Sequence, residues 1–448
     1  MATCEELDKI APKLNGRREG TFAYITIKDR WPKIVTKIVD SLKRDMKQIT
    51  LDYGEEAEAD VRSFMEVLSK LRYLIMTDKP LTNFYDNAPD ATMWNELLDD
   101  LRDKDPQLEC ETLTWYRGDW LFVECYLYRT IYGAAYSTIK LRDYDYFKSS
   151  KIASFTDHIS HMEDSISYLL SIVEDGAPVH ETFGLNCMIK TSLWGNRADM
   201  SLTGGDNSVM NQSAMHASSK LDDLILVNDI DKAVVEYLYP LVKNKEGLTN
   251  RRIDIILDNA GIELVCDLVL AEYFLSMRFA DKIVVHGKSY PWFVSDVTKQ
   301  DFDWTINALM NSTEICQKLA SRLQKRVDDK TIEFKSHPFW TYPHAYFQMK
   351  GTAPDLYEDL AQAKFAFFKG DLNYRKLVGD RDWDLETSFK VSLRGFSPCP
   401  FMALRTLKAE TVVGLSKEKV CQLTNEYDES TDWMVSGKYA VCQLSGSS

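Results

Sequence analysis

The chain predicts an α/β fold: a Rossmann-like, mostly parallel sheet flanked by helices, preceded by an N-terminal helical region. Three observations predict it. Apolar residues recur at three- and four-residue spacing over 34–42 and again over 61–74, the signature of amphipathic helices. The stretch 120–139, WLFVECYLYRTIYGAAYSTI, is apolar nearly all round, as expected of a helix at the centre of that half. From about residue 221 the pattern changes, and short apolar runs alternate with helical stretches.

The elements of the second half follow in order. RIDIILD reads as a strand, GIELVCDLVLAEYFLSM as a helix, DKIVVHGK as a strand, and DWTINALMNSTEICQKLASRLQKR as one helix. AKFAFFKGD and CPFMALRTLKA read as two further buried strands. Strands separated by helices imply right-handed crossovers and hence a parallel sheet. The boundary falls in SLTGGDNSVMNQSAMHASSK, 201–220, whose Ser, Asn and Gly content reads as a flexible loop. Two regions are therefore expected, a mostly helical 1–220 and an α/β region over 221–448.

Composition narrows the function. With 448 residues, 45% hydrophobic and 27% charged, the chain can bury a large core. A formal net charge of −14 argues against a nucleic-acid or anionic-membrane binder, though a local basic pocket could still take a small anion. Nine cysteines are scattered singly and form no CxxC pair, so no zinc ribbon or redox motif is supported and reduced thiols are expected. Neither a signal-peptide core nor an apolar stretch long enough to span a bilayer is evident, which places the chain in the cytoplasm, with the nucleus as a second compartment.

The chemistry concentrates at strand ends. In DIILDNAGIELVCDL the apolar run stops at Asp258 and Asn259, and Asp296 in KSYPWFVSD follows the next strand. Ligands in open α/β sheets sit beyond the carboxyl ends of strands. Two carboxylates and an amide are hard oxygen donors suited to Mg²⁺ or Mn²⁺ completed by a substrate phosphate. The bland alternative is that Asp258 and Asn259 simply cap the following helix, and both roles can coexist. Glu263 and Asp267 lie four apart in that helix's first turns, where acids complement the dipole; Glu263, nearer the strand end, could also reach a ligand. FFKGDLNYRKL, 367–377, carries Lys369, Asp371, Asn373, Arg375 and Lys376 and reads by itself as a solvated charged loop. In RTLK, Arg405 and Lys408 end an apolar run where their charges need partners, and a phosphate is a natural one.

Taken together, LDNAGIELVCDL, GKSYPWFVSD, FKGDLNYRKL and LRTLKAE closely resemble the damage-control phosphatases, with Arg405-Thr406-Leu407-Lys408 matching the RTxK mark of subfamily III. FAYITIKDRWP, CYLYRTI, LWGNRADMSL and APDLY extend the resemblance over essentially the whole chain. The resemblance implies a metal-dependent phosphatase of sugar phosphates such as fructose 1-phosphate and fructose 6-phosphate, using Mn²⁺, Co²⁺ or Ni²⁺. By motif, Asp258, Asn259 and Asp296 become metal ligands and catalytic residues. The substrate would be held by Asp258, Asn259, the segment Asp371, Leu372, Asn373, Tyr374 and Arg375, and Arg405 and Lys408. Relatives are also described as S-adenosylmethionine-dependent protein-glutamate methyltransferases, which would place Glu263 and Asp296 near that cofactor. A cation is not needed to stabilise methyl transfer from a sulfonium. The first βα turn, Asp258–Gly261, has a single glycine where methyl-donor sites are usually glycine-rich, so hydrolysis ranks first. A protein-interaction scaffold built on the helical half is a third reading.

Overall fold

The computed structural model describes residues 9–104, 112–174, 181–195, 221–243, 250–428 and 430–446. The stretch 201–220 lies outside them. Strands β1 (Ile225–Asn228), β2 (Arg252–Ile256), β3 (Lys282–Gly287), β4 (Ile332–Ser336), β5 (Phe365–Lys369), β6 (Phe401–Thr406) and β7 (Ala440–Ser445) form one sheet in the order β1-β7-β6-β5-β2-β3-β4. β2 to β6 run parallel; β7 is antiparallel to β6 and parallel to β1. The expected mostly parallel sheet is therefore present.

Alternate residues of the central strands enter different cores. Ile253, Ile255, Phe365, Phe367, Met402 and Leu404 pack in one, and Ile256, Ala366, Phe368, Phe401 and Ala403 in another. Both faces are covered, which is why β5 and most of β6 read as continuous apolar runs instead of alternating ones. β2 departs from that only at the paired Arg252 and Asp254. From β2 the chain builds outward to β3 and β4, then returns to the other side of β2 with β5 and β6. The β2/β5 boundary is thus the point where strand order reverses, the place beyond the carboxyl ends where open α/β sheets take their ligands.

The helical half supplies α1 (Trp31–Tyr53), α2 (Ala57–Met76), α3 (Ala91–Lys104) and α4 (Trp120–Tyr136), with no described strand before Ile225. α4 is buried on nearly every side, as its all-round apolar sequence predicts. Its core accepts Trp292, Leu372 and Ala409, three residues that follow β3, β5 and β6. The helical half therefore sits over the carboxyl ends of the sheet. α5 (Lys148–Thr156) is followed by α6 (Ile159–Glu174) and α7 (Glu181–Trp194), which pack against α8 (Ile262–Ser276) and share the core of one sheet face. Among the described residues no helix is long and apolar enough to cross a membrane.

Two expectations are corrected. The single helix expected over DWTINALMNSTEICQKLASRLQKR is two, α9 (Lys299–Met310) and α10 (Glu314–Asp328), because Asn311 and Thr313 take the C-cap and N-cap positions. The charged stretch after β5 is no solvated loop but a helix, α11 (Gly370–Val378), buried nearly throughout. Its charges find partners inside the protein.

Candidate active site

Backbone hydrogen bonds lace the turn after β2 to the turn after β3. The Asp258 carbonyl accepts from Val297 N–H at 3.0 Å, Ala260 N–H donates to the Ser295 carbonyl at 2.7 Å, and Asn259 faces Asp296 across an antiparallel bridge. These bonds bring Asp258, Asn259 and Asp296 together. Neither Asp258 nor Asn259 caps α8: its N-cap is Gly261, with φ +73° and no side-chain cap bond. The Asn259 amide is otherwise engaged, with Nδ2 donating to Asp258 Oδ2 at 2.6 Å and to Glu263 Oε2 at 2.8 Å. Ser295 Oγ donates to Asn259 Oδ1, which keeps a second lone pair. Just before Ser295, Phe293 and Val294 have φ of 43° and 72°. A β-branched residue in that region is strained by about 1–3 kcal/mol, and such strain concentrates at functional sites.

Asp258 is short of positive charge. Burial pushes the Asp258 carboxyl well above the ordinary range, Glu263 and Asp296 push it further, and Lys408 and Lys288 oppose them. Burial also raises Asp296 against the pull of Lys288. Lys288 Nζ lies 3.2 Å from Asp296 Oδ2 without hydrogen-bond alignment, so that buried oxygen lacks an aligned donor. Gly370 opens α11 beside Asp258 with φ +83°, and a Cβ there would collide with the Asp258 carboxylate. Lys369, one residue earlier, donates to Asp267 Oδ1 at 2.6 Å and Glu263 Oε1 at 3.4 Å. Asp267 also accepts from Ser192 Oγ at 2.5 Å. It is the partner of a buried lysine, not merely a complement to the helix dipole.

The remaining predicted residues divide. Lys408 is half-buried, and its ammonium makes no hydrogen bond or ion pair among the described residues. Arg405 is fully buried and donates to Asp371 Oδ1 at 2.8 Å and to the carbonyls of Ala409 and Thr411. The partner its charge needs is Asp371; the guanidinium shapes the loop that presents Lys408, whose own N–H also donates to Asp371 Oδ1 at 3.1 Å. Arg375 is clamped by Asp380 (2.7 and 3.0 Å) and Glu124 (2.6 Å), with its guanidinium 3.8 Å from the Trp120 ring centre. Asn373 donates to the carbonyls of Leu257 and Lys369, tying α11 to the end of β2. Leu372 and Tyr374 are core residues, Tyr374 donating to Gln443 Oε1 at 2.7 Å. Of the 371–375 segment, it is the start of the helix that adjoins the acids.

A damage-control phosphatase ARMT1-like domain model matches residues 26–423. The protein named "Damage-control phosphatase ARMT1" in Danio rerio is 39% identical over 436 residues, covering 96% of each chain. The Homo sapiens protein of that name is 36% identical over 445 residues, covering 98% of this chain and 99% of its own. The chain belongs to the ARMT1-like damage-control phosphatase family. A crystal structure of a DUF89 family protein from Pyrococcus horikoshii is also similar, at 14% identity and a TM-score of 0.43, covering 93% of this chain and 96% of that one.

In this damage-control phosphatase chain the strand-end rule pointed to Asp258, Asn259 and Asp296 but passed over Lys288 and Gly370, which obey the same rule on β3 and β5. Lys288 directly follows DKIVVHG and was open to the same signal. Nothing local marks Gly370, whose role is to leave room for a side chain over a hundred positions away. Among the described residues no three His, Cys, Asp or Glu side chains stand together in metal-holding geometry. The candidate set is instead two carboxylates and an amide. A divalent cation fits it on two counts: Asp296 Oδ2 is buried without an aligned donor, and at Asp258 the push of Glu263 and of Asp296 ranks above the pull of Lys408 and of Lys288.

Proposed function

We propose that the chain is a metal-dependent phosphomonoester hydrolase acting on small sugar phosphates such as fructose 1-phosphate and fructose 6-phosphate. Membership of a damage-control phosphatase family supports phosphate-ester hydrolysis. The observation that carries the finer reading is the meeting of Asp258, Glu263 and Asp296 with the unpaired Lys408 ammonium where strand order reverses. Buried acids crowded together favour a cation, and a free ammonium at their edge favours an anion. A metal phosphate ester presents both.

Asp258, Asn259 and Asp296 would hold Mn²⁺, Co²⁺ or Ni²⁺, and Mg²⁺ also suits hard oxygen donors. When bound, the cation supplies Lewis-acid polarisation of the phosphoryl group. Lys408 neutralises charge spread over the phosphoryl oxygens in the transition state. Backbone N–H groups opening α11 add donors and the positive end of its dipole. Glu263 orients the Asn259 amide, and the helical half, by covering the strand ends, limits water.

The test is phosphate release from both fructose phosphates by chelated protein with each metal restored in turn, alongside Asp258→Ala. Labelled-methyl incorporation from S-adenosylmethionine is followed on the same preparation. Metal-dependent release that vanishes in the variant is expected, with no methyl incorporation. Stoichiometric methyl transfer without phosphate release would replace this reading with protein-glutamate methylation, in which Glu263 and Asp296 face the methyl donor.

A further inference from the structure

FAYITIKDRWP, near the start of the chain, has no role in the site described so far. Phe22 N–H donates to Glu410 Oε2 at 2.9 Å, which docks the segment on the loop carrying Lys408. Residues Thr26–Arg30 then form one wide π-helical turn leading into α1, a feature concentrated at functional sites. The next residue, Trp31, points inward, and its Nε1 donates to Glu124 Oε1 at 3.3 Å. Glu124 is the same carboxylate that Arg375 of α11 grips at 2.6 Å. One turn along α4, Tyr128 stacks on Phe293 with ring centres 4.5 Å apart, in the strained loop that ends at Asp296.

Arg30 closes the π-helical turn, between the Phe22 and Trp31 contacts. It is exposed, and its guanidinium makes no hydrogen bond or ion pair among the described residues. Burial raises the Tyr128 phenol, and Glu124, Arg30 and Asp296 are among the charges near enough to act on it. Every other arginine described above is committed inside the protein. Arg405 holds Asp371, and Arg375 holds Asp380 and Glu124. An arginine held at a site edge by its neighbours, yet given no acid of its own, is placed for an anion from solution.

We infer that Arg30, supplied by the helical half on the segment docked beside the Lys408 loop, is a second substrate-binding cation that grips the phosphate of the ester. This rests on the phosphatase reading above. A guanidinium offers paired donors matched to phosphate oxygens, which an ammonium cannot reproduce.

The test is calorimetric binding of inorganic phosphate and fructose 1-phosphate to metal-loaded wild type, Arg30→Ala, Arg30→Lys and, as a neighbouring-charge control, Lys28→Ala. Steady-state kinetics are measured on the same proteins. Arg30→Ala is expected to weaken both ligands about tenfold and to raise KM by a similar factor, with a smaller fall in kcat. Arg30→Lys should recover part of the loss, and Lys28→Ala should bind as wild type does. Unchanged affinity in Arg30→Ala would overturn the inference and leave the phosphatase reading standing, as would an equal loss in Lys28→Ala, which would reveal only a diffuse field. Failure of the wild type to bind either ligand overturns both.

Discussion

Asp254 and Asp258 lie four residues apart at β2, both buried, and their surroundings are opposite. Asp254 accepts from Arg252 Nε and Nη2 at 2.6 Å each and lies 2.9 Å from His286 Nε2. Arg252 reaches on to Asp359, which Lys335 also grips at 2.9 and 3.0 Å. Asp258 instead has an amide, two like-charged neighbours and lysines at the margin. A buried carboxylate is tolerated when paired and hydrogen-bonded, and is costly otherwise. The paired acid is architecture. The unpaired one carries a cost that a bound cation would relieve.

The contrast breaks most sharply at Asp258 itself. Asp258→Ala should lower phosphate release on the order of 10³-fold, the scale of a lost Lewis acid, while the melting temperature of metal-free protein stays level or rises because crowded charge is removed. Metal titration showing unchanged affinity would remove it from the ligand set. Asp254→Ala should do the reverse. Removing the Arg252 and His286 partner should cost about 1–3 kcal/mol in denaturant unfolding, Asp359 still pairing the guanidinium, with activity per folded molecule kept at permissive temperature.

The same division among the cations predicts a smaller effect. Lys408→Ala should raise KM about tenfold or more with metal affinity nearly intact, whereas Arg375→Ala should act first on stability, since its donors are committed to Asp380 and Glu124. Normal kinetic constants in Lys408→Ala would mean that the phosphate is held elsewhere.

The smallest effect is a pH dependence. Burial alone would raise Asp359, but hydrogen bonds from Arg252 and Lys335 hold it well below the ordinary carboxylate range. Its folded pKa is therefore depressed. The stability it contributes is present above the unfolded value of about 4 and is lost as pH falls through the folded one. Asp359→Asn should be less stable than wild type at neutral pH, and the gap should narrow below about pH 4. A gap that widens on acidification would show that the network does not hold Asp359 in its charged form.

The sequence by itself determined the fold class, because strands buried on both faces must be apolar throughout and helices between them force parallel pairing. It also determined the strand-end oxygen donors, since acids that close an apolar run are legible in one dimension. Edge strands β1 and β4, and β7 beside β1, were not legible. β4, IEFKS, is only partly buried and offers too weak a pattern, and β1 is four residues long. Only the tertiary structure decided which charges are free. RTLK and FKGDLNYRKL advertise cations equally, yet Arg405 and Arg375 are neutralised by Asp371, Asp380 and Glu124, the last of these 251 positions from Arg375, while Lys408 and Arg30 are not. Whether a charge is available depends on what folds against it, and electrostatic partnership is set by distance in space, not along the chain.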